Sequence, residues 1–283
     1  MKYTVISDSC CDLHLKDISS EKIDFHIVPI TLIVGKEEMP DDENLDTAVF
    51  LEKMKASKVC PKTACPSPDA FAEIMRRGEN VIVVTLSSKL SGTHQSAMIA
   101  AEMIKAETPD KKLFVLDGLT AAAGVAKLLL SLTEFIQSGE FTFEQITEKL
   151  TRLATRTRTR FLLQDLTNLI KNGRMGKIVG TIINTAKIKL ICEDNRAGEI
   201  KKQGMALSTR RGLQKMAEMI KSDVGSYEEK EGALVTITHA HNKEDAFFLK
   251  SFLQKLGFNN IKVMLMRGTA TLYAADKGIV VAC

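Results

Sequence analysis

The segment Val81–Ala97, VIVVTLSSKLSGTHQSA, decides the fold of this chain. Its first five residues are apolar or β-branched, as is typical of a buried strand, and a loop rich in hydroxyl side chains follows at 87–93. Beyond the loop, apolar residues recur at helical spacing up to Ile104. A strand, a polar loop and a helix N-terminus in this order predict an anion site, because free backbone N–H groups and the positive end of the helix dipole meet there.

The composition is that of a soluble globular protein. The 283 residues are 45% hydrophobic and 26% charged, and the net charge of +4 is too small and too evenly spread for a nucleic-acid-binding surface. We expect no signal segment before the first strand, and no apolar run approaches the ~18 residues of a membrane span. Six scattered cysteines without a Cys-x-x-Cys pair are typical of reduced thiols. We expect a cytoplasmic protein without stable membrane insertion and without a nucleic-acid partner.

Strands and helices alternate along the first half of the chain, which predicts a parallel sheet with helices on both faces. Within this half, 25–34 is predicted as one strand, with Pro29 at an edge or a bulge. The residues after it, 37–46, are predicted as an acidic loop.

The second half contains a predicted helix at 178–184 and a hairpin-like pair of strands at 187–192 and 199–207. A hairpin among α/β units implies a mixed sheet. The expected fold is therefore α/β in two domains: a three-layer α/β/α N-terminal domain with a parallel sheet (1–158) and an α/β C-terminal domain with a mixed sheet (159–283).

A proline-rich segment at 59–68, VCPKTACPSP, is the second informative stretch. Its three prolines exclude a helix and a central strand, and Ser67 is predicted to cap the next helix. Thr63 is thus presented from a stiff loop, as suits a binding residue, although an exposed loop threonine would show the same pattern. Cys60 and Cys65 lack the second Cys/His pair of a zinc site.

Three further residues are candidates for ligand contact. Asp8 and Ser9 follow the first strand, at the edge where parallel sheets place their ligands, or they only cap the turn. Arg174 follows Gly173 in an open loop and offers a guanidinium to a phosphate or carboxylate; an exposed surface arginine is the plainer interpretation.

The sequence argues against several other chemistries. The loop at 87–93 lacks both the P-loop lysine pattern and G-x-G-x-x-G. Ser91 has no G-x-S-x-G elbow, and His94 points elsewhere from the helix. His239 and His241 share a strand face that would suit a metal, but the polar residues after them more simply start a helix. No metal and no cofactor is expected.

Five motifs run through the whole chain in the order and spacing of one family: Asp8-Ser-Cys-Cys-Asp12-Leu13, Val28-Pro29-Ile30, Thr63-x-x-Pro66-Ser67, Ser87-Ser-x-Leu90-Ser91-Gly92-Thr93-x-Gln95-Ser96-Ala97 and Asn172-Gly173-Arg174. In these motifs the chain resembles the DegV family. The resemblance implies a two-domain fold related to dihydroxyacetone kinase folds and one bound long-chain fatty acid as the ligand. It also implies a partner, an ATP-binding fatty acid kinase subunit that makes acyl phosphate for phospholipid synthesis, so that the chain itself is a carrier and not an enzyme.

The resemblance places the carboxylate contacts at Thr63 and at Ser91 with its neighbour Gly92. Thr93, the next residue, is also expected to bind the ligand. The acyl chain is expected in the apolar interior between the domains, where each buried CH₂ contributes about 0.8 kcal/mol. Arg174 would serve phosphoryl transfer or the kinase, although Asn172 replaces the first glycine of the family's Gly-Gly-Arg motif.

A larger departure lies at 266–270, MRGTA, where the family usually has His-x-Gly-Pro-Gly. Met266 replaces the histidine, and Arg267 becomes the candidate for the positive partner of the carboxylate. Two other functions stay open: an enzyme for acyl or phosphate esters that uses Ser91, Arg174 and Asp8, or a lipid-sensing regulatory module.

Overall fold

The structure, a computed structural model, describes residues 2–175, 189–195, 197–225 and 232–283, so the helix expected at 178–184 lies outside the described residues. The strands are β1 (Tyr3–Asp8), β2 (Ile23–Val28), β3 (Thr31–Val34), β4 (Glu37–Pro40), β5 (Lys62–Ala64), β6 (Asn80–Thr85), β7 (Lys112–Asp117), β8 (Thr159–Leu162), β9 (Lys189–Asp194), β10 (Ile200–Ala206), β11 (Val235–His239), β12 (Ile261–Leu265) and β13 (Ile279–Ala282). The helices are α1 (Leu15–Ile18), α2 (Thr47–Ala56), α3 (Pro68–Arg77), α4 (Thr93–Glu107), α5 (Ala123–Ser138), α6 (Phe143–Arg156), α7 (Thr167–Lys171), α8 (Thr209–Asp223), α9 (Lys243–Lys255) and α10 (Gly268–Ala274).

The first sheet is parallel and has the order β2-β1-β6-β7. Alternate residues of its strands enter opposite layers: Ile82 and Val84 pack with α5 and α6, whereas Val81 and Val83 pack with α3 and α4. The three-layer α/β/α arrangement expected from the sequence is therefore confirmed. The chain leaves β1 toward one side of the sheet and β6 toward the other, so a crevice opens between the carboxyl ends of these two strands.

The second sheet is mixed and has the order β10-β9-β8-β13-β11-β12. Only its β11–β12 neighbours run parallel, and β9 and β10 form the expected antiparallel hairpin. Helices α8 and α9 cover one face of this sheet. The other face is turned toward α5, where the Thr236 hydroxyl donates to the Ala123 carbonyl at 2.7 Å. Helix α5 thus lies between the two sheets, which explains why nearly all of its first ten residues are buried.

A third sheet was not expected from the sequence. The segment 25–34 is not one strand: it breaks at Pro29, and β3 pairs with β4 and β5 instead of extending the parallel sheet. The physical reason is that Pro29 has no N–H for the ladder, while the next amide, of Ile30, donates to the Ser9 hydroxyl at 3.1 Å. The predicted acidic loop contains β4, and the proline-rich segment contributes β5 at the edge of this small sheet.

The small sheet packs against α2 and against α10 from the far end of the chain, with Leu32, Phe50 and Leu272 buried between them. Helix α10 approaches so closely that a Cβ at Gly268 would lie 2.5 Å from the Leu32 side chain. We keep the division into 1–158 and 159–283 as a proposal, in which residues 31–64 belong to the first domain and cover part of the second.

Candidate ligand-binding site

A cavity opens where the carboxyl ends of β1 and β6 face the second sheet. The space between its walls measures ≈ 820 Å³, a volume that includes the open mouth. Most of the wall is apolar, and the residues that form it are Cys10, Ile30, Thr63, Leu86, Leu90, Ser91, Thr120, Ala121, Ala122, Thr159, Phe161, Leu163, Leu169, Arg174, Asp194, Ile200, Thr269, Ala270, Tyr273, Ala274 and Val280.

Three residues predicted from the sequence, Thr63, Ser91 and Arg174, border this cavity together. The hydroxyls of Thr63 and Tyr273 are hydrogen-bonded at 2.9 Å, and the Arg174 guanidinium lies 5.7 Å from the centre of the Tyr273 ring. Arg174 also donates from Nε to the Leu90 carbonyl at 3.2 Å, next to Ser91. The hydroxyls of Thr63 and Tyr273 and the Arg174 guanidinium therefore lie close together on the cavity rim.

The proline-rich segment is held against this rim by several contacts. The Asn172 side-chain amide donates to the Pro61 carbonyl at 3.0 Å and to the Asn168 carbonyl at 2.8 Å. A Cβ placed on Gly92 would lie 3.3 Å from Cys65 Sγ, so a larger residue there would press on the same segment. The asparagine that departs from the family pattern thus joins the Arg174 loop to the Thr63 segment.

Helix α4 begins at Thr93, and its N-cap is Gly92, which has no side chain to cap the helix. The Thr93 amide donates to Ser91 Oγ at 3.3 Å, and the Ser91 amide donates to the Ser87 carbonyl at 3.2 Å. Thr93 is buried and does not border the cavity. Gly92 borders a solvent-facing outer groove, which shares Ser91 and Arg174 with the cavity and is also lined by Lys89 and His94.

Asp8 and Ser9 lie behind the cavity wall and do not border it. The Asp8 carboxylate accepts hydrogen bonds from the amides of Leu86, at 2.8 Å, and Cys10, at 3.0 Å. Burial raises the pKa of Asp8 to about 7. Ser9 links Ile30 to Thr269, whose hydroxyl lies 3.4 Å from its own. Both side chains thus position residues of the wall.

Arg267 does not border the cavity either, which contradicts its expected role as the positive partner of a carboxylate. Its guanidinium donates to the Leu13 carbonyl at 3.2 Å, to Glu43 Oε1 at 2.7 Å and to the Asp41 carbonyl at 3.1 Å. These contacts exist because Asp41 caps α10 through the amides of Gly268 and Thr269, so the arginine is drawn to the acidic loop.

Met266 packs behind the wall in an apolar cluster that includes Ala240 and Ala270. It is only 1% exposed. A thioether at the position of the family's usual histidine brings no strong hydrogen-bonding group. Among the wall residues that the structure describes, Arg174 is therefore the only cationic side chain.

Sequence reasoning missed Tyr273 and a polar group in the wall formed by Thr120, Thr159 and Asp194. Burial raises the pKa of Asp194 to about 6. The three polar residues come from three distant segments, so no local pattern could have joined them. Tyr273 lies on a helix that the sequence did not predict.

In the described residues, the side chains are not arranged as a metal site would require. His241 Nε2 lies 3.0 Å from Thr47 Oγ1, and the His239 ring accepts from the Asn242 amide at 3.2 Å. Within residues 2–175, 189–195, 197–225 and 232–283, no three His, Cys, Asp or Glu side chains are grouped as metal ligands. No helix in the described part of the chain is both long and apolar enough to cross a membrane.

Comparison with known proteins places this architecture in a family. The sequence model described as "Uncharacterised protein, DegV family" matches residues 2–280. The chain belongs to the DegV family. A DegV domain-containing protein of Streptococcus gordonii is 30% identical over 285 residues, which cover 99% of this chain and 98% of that relative.

Solved structures of DegV proteins share the fold over its full length. A DegV family protein from Ruminococcus gnavus, refined with vaccenic acid, is 28% identical with a TM-score of 0.92 and covers 99% of both chains. The Fatty Acid Kinase (Fak) B3 protein of Streptococcus pneumoniae, loaded with linoleic acid, is 27% identical with a TM-score of 0.92 and covers 100% of this chain and 99% of that one. A DegV protein from Eubacterium eligens loaded with heptadecanoic acid is 27% identical, with a TM-score of 0.89 and 99% of both chains covered.

Proposed function

We propose that this DegV protein binds one long-chain fatty acid, with the carboxylate at the cavity rim and the acyl chain between the two sheets. The observation that carries the proposal is the apolar cavity itself, whose rim brings Thr63, Ser91 and Arg174 together. Fatty acids in the structures of similar DegV proteins support it. At about 0.8 kcal/mol for each buried CH₂, burial of the chain supplies most of the affinity.

The carboxylate contacts follow from the hydrogen bonds already made at the rim. The amides of Ser91 and Thr93 are engaged within the loop. We therefore assign the carboxylate to the hydroxyls of Thr63 and Ser91 and to the Gly92 amide, next to the start of α4. The dipole of this helix favours a negative charge at that end. Arg174 supplies the balancing positive charge, and Asp8 and Ser9 act only by positioning the wall.

We further propose that the protein presents its fatty acid to an ATP-binding kinase subunit in the cytoplasm. The outer groove reaches Ser91 and Arg174 from the solvent side, so the carboxylate would be accessible to a phosphoryl donor while the chain stays buried. Arg174 and Lys89 would meet the negative charge of that donor. The Fak B3 protein among the similar structures supports a kinase partner.

An enzyme that uses Ser91 as nucleophile is less well supported. The Ser91 hydroxyl is hydrogen-bonded to Thr93 Oγ1 at 2.9 Å, and the neighbouring His94 Nδ1 is 3.2 Å from Thr85 Oγ1. The imidazole is thus paired with another group instead of activating Ser91. Turnover of acyl or phosphate esters by the isolated chain would favour the enzyme.

Mass spectrometry of lipid released from the denatured protein tests fatty acid binding. We expect a fatty acid of about 14 to 18 carbons, the size class of the fatty acids in the similar structures. Protein stripped of lipid should rebind palmitic acid in a calorimetric titration. Absence of both released lipid and rebinding would overturn the proposal.

The carrier role is tested separately, by phosphate transfer from ATP to the bound fatty acid with and without a fatty acid kinase subunit. We expect transfer only when both proteins are present. Arg174→Ala should reduce the transfer more than it reduces palmitate binding, whereas Lys171→Ala on the same segment is the matched control. Fatty acid binding without any transfer or association would leave the lipid-sensing module as the function.

A further inference from the structure

Tyr273 on α10 lies where three segments of the chain meet at the cavity rim. Its side chain packs against the small-sheet cluster around Leu32 and against the apolar cluster around Phe161, which forms part of the cavity wall. Its hydroxyl is hydrogen-bonded to Thr63 Oγ1 at 2.9 Å, and the centre of its ring lies 5.7 Å from the Arg174 guanidinium carbon. One side chain therefore contacts both the hydroxyl and the cation that we assign to the carboxylate.

Arg174 is held by three contacts. Its Nε donates to the Leu90 carbonyl at 3.2 Å, and its Nη1 donates to the Asn172 carbonyl. The Tyr273 ring is the third contact, within the ~6 Å over which an aromatic face attracts a cation. Arg174 borders both the cavity and the outer groove, whereas Tyr273 borders the cavity and not the groove. The ring therefore supports the guanidinium from the cavity side and leaves the groove unobstructed.

The position of Arg174 between cavity and groove matters because two anions have to meet there. In the proposed transfer, a carboxylate oxygen of the fatty acid forms a bond to the γ-phosphorus of ATP. The bond from this phosphorus to the bridging oxygen breaks, and ADP leaves with that oxygen. A cation between the two reactants lowers their repulsion most effectively when it is already in place. Because an arginine side chain has many rotamers, a contact that fixes its guanidinium reduces the cost of ordering it during the reaction.

We propose that Tyr273 is a positioning residue for phosphoryl transfer, whose ring holds the Arg174 guanidinium between the fatty acid carboxylate and the phosphoryl donor. This inference rests on the proposed carrier function and adds a residue to it. The two parts of the tyrosine side chain have separate roles. The ring acts on transfer through Arg174, and the hydroxyl acts on fatty acid binding through Thr63. Removal of the ring should therefore affect a different measurement from removal of the hydroxyl.

The test measures phosphate transfer from ATP to palmitic acid on this protein in the presence of a fatty acid kinase subunit. Tyr273→Leu and Tyr273→Met remove the ring, and Tyr273→Phe keeps it. At saturating palmitate we expect both ring-less variants to lower kcat about 3- to 30-fold, the factor that corresponds to loss of a cation–π contact. Tyr273→Phe should stay within about twofold of the wild type. Palmitate affinity should change less than about fivefold in all three, whereas a merely structural role would weaken binding and transfer together.

A double-mutant cycle tests whether the ring acts through the arginine. In the Arg174→Ala background, Tyr273→Leu should lower kcat no further, because the guanidinium that the ring holds is already absent. Phe248→Leu is the matched control: this ring lies 5.2 Å from the Arg210 guanidinium and outside the cavity, so its loss should leave transfer unchanged. Thermal unfolding of the same samples shows that each variant is folded.

The outcomes separate this inference from the function on which it rests. Equal kcat values for the ring-less variants and Tyr273→Phe, or independent losses from Tyr273→Leu and Arg174→Ala, overturn the role of the ring and leave the carrier function intact. Wild-type protein that binds palmitate but supports no transfer overturns the carrier function and this inference together. Wild-type protein that binds no palmitate overturns fatty acid binding as well.

Discussion

Replacing Thr63 with valine removes one hydroxyl from the rim and changes little else. The two side chains have the same shape, and valine suits β5, which lies at the edge of the small sheet. The variant loses the 2.9 Å contact with the Tyr273 hydroxyl, which is partly exposed and can bond to water instead. We therefore expect the folded protein to lose about 1 kcal/mol of stability or less.

The effect on binding should be larger, because the lost bond is to a charged group. A hydrogen bond to a carboxylate contributes about 1.5–3 kcal/mol, so the dissociation constant for palmitic acid should rise about 10- to 150-fold in Thr63→Val. Tyr273→Phe removes the partner hydroxyl and leaves Thr63 free to donate; its affinity should change less than about fivefold. Adding Ser91→Ala to Thr63→Val should weaken binding further.

The assay is a calorimetric titration of lipid-free protein, with thermal unfolding measured on the same samples. Thermal unfolding separates loss of the contact from loss of the fold. The reasoning is refuted when Thr63→Val unfolds at the wild-type temperature and binds palmitic acid within twofold of the wild type. Thr63 would then be a structural residue of the edge strand.

Three further predictions concern the acyl chain of the ligand, the buried Arg267 and the buried Asp8. Affinity should rise about fourfold for each added CH₂ from decanoic acid upward and level off when the cavity is filled; a flat series of dissociation constants would contradict burial of the chain. Arg267→Met should cost about 3–5 kcal/mol in urea unfolding, because it removes the cation whose Nε lies 3.9 Å from Oδ1 of the buried Asp41 carboxylate, and palmitate affinity should be nearly unchanged in the folded variant. Because the pKa of Asp8 is raised from 3.8 to about 7, the folded state binds more protons than the unfolded state between these pH values. Stability should therefore decline by up to roughly 1.4 kcal/mol per pH unit as pH rises through that window, less steeply in Asp8→Asn, and identical slopes would exclude Asp8 as the cause.

Elements with local signals were predictable from the sequence. The run of β-branched residues in β6 and the Ser67 cap before Pro68 gave the strand and helix at the positions found. The break in the segment 25–34 was not predictable from its composition, because it depends on the Ser9 hydroxyl that takes the Ile30 amide. Helix α10 contains β-branched Thr269 and Thr271, which disfavour a helix, and its N-terminal amides bond to Asp41, 227 residues away in sequence from Gly268.

The rim was more predictable than the wall. Thr63, Ser91 and Arg174 stand in loops next to strand and helix ends, where chain direction alone suggests a site. Tyr273 and Asp194 reach the cavity only through tertiary packing, one from α10 and the other from the hairpin strand β9. Neither residue stands in a motif of its own.

The cap that Asp41 places on α10 ties the choice of ligand to a segment outside the cavity. Thr269, Ala270 and Tyr273 enter the cavity wall from this helix, and the position of the helix depends on the acidic segment that follows β4. Transplanting only the cavity-lining side chains into another DegV scaffold will therefore not transfer the ligand preference. The segment around Asp41 has to be grafted with them, and a chimera built in this way is the more promising route to a carrier of chosen selectivity.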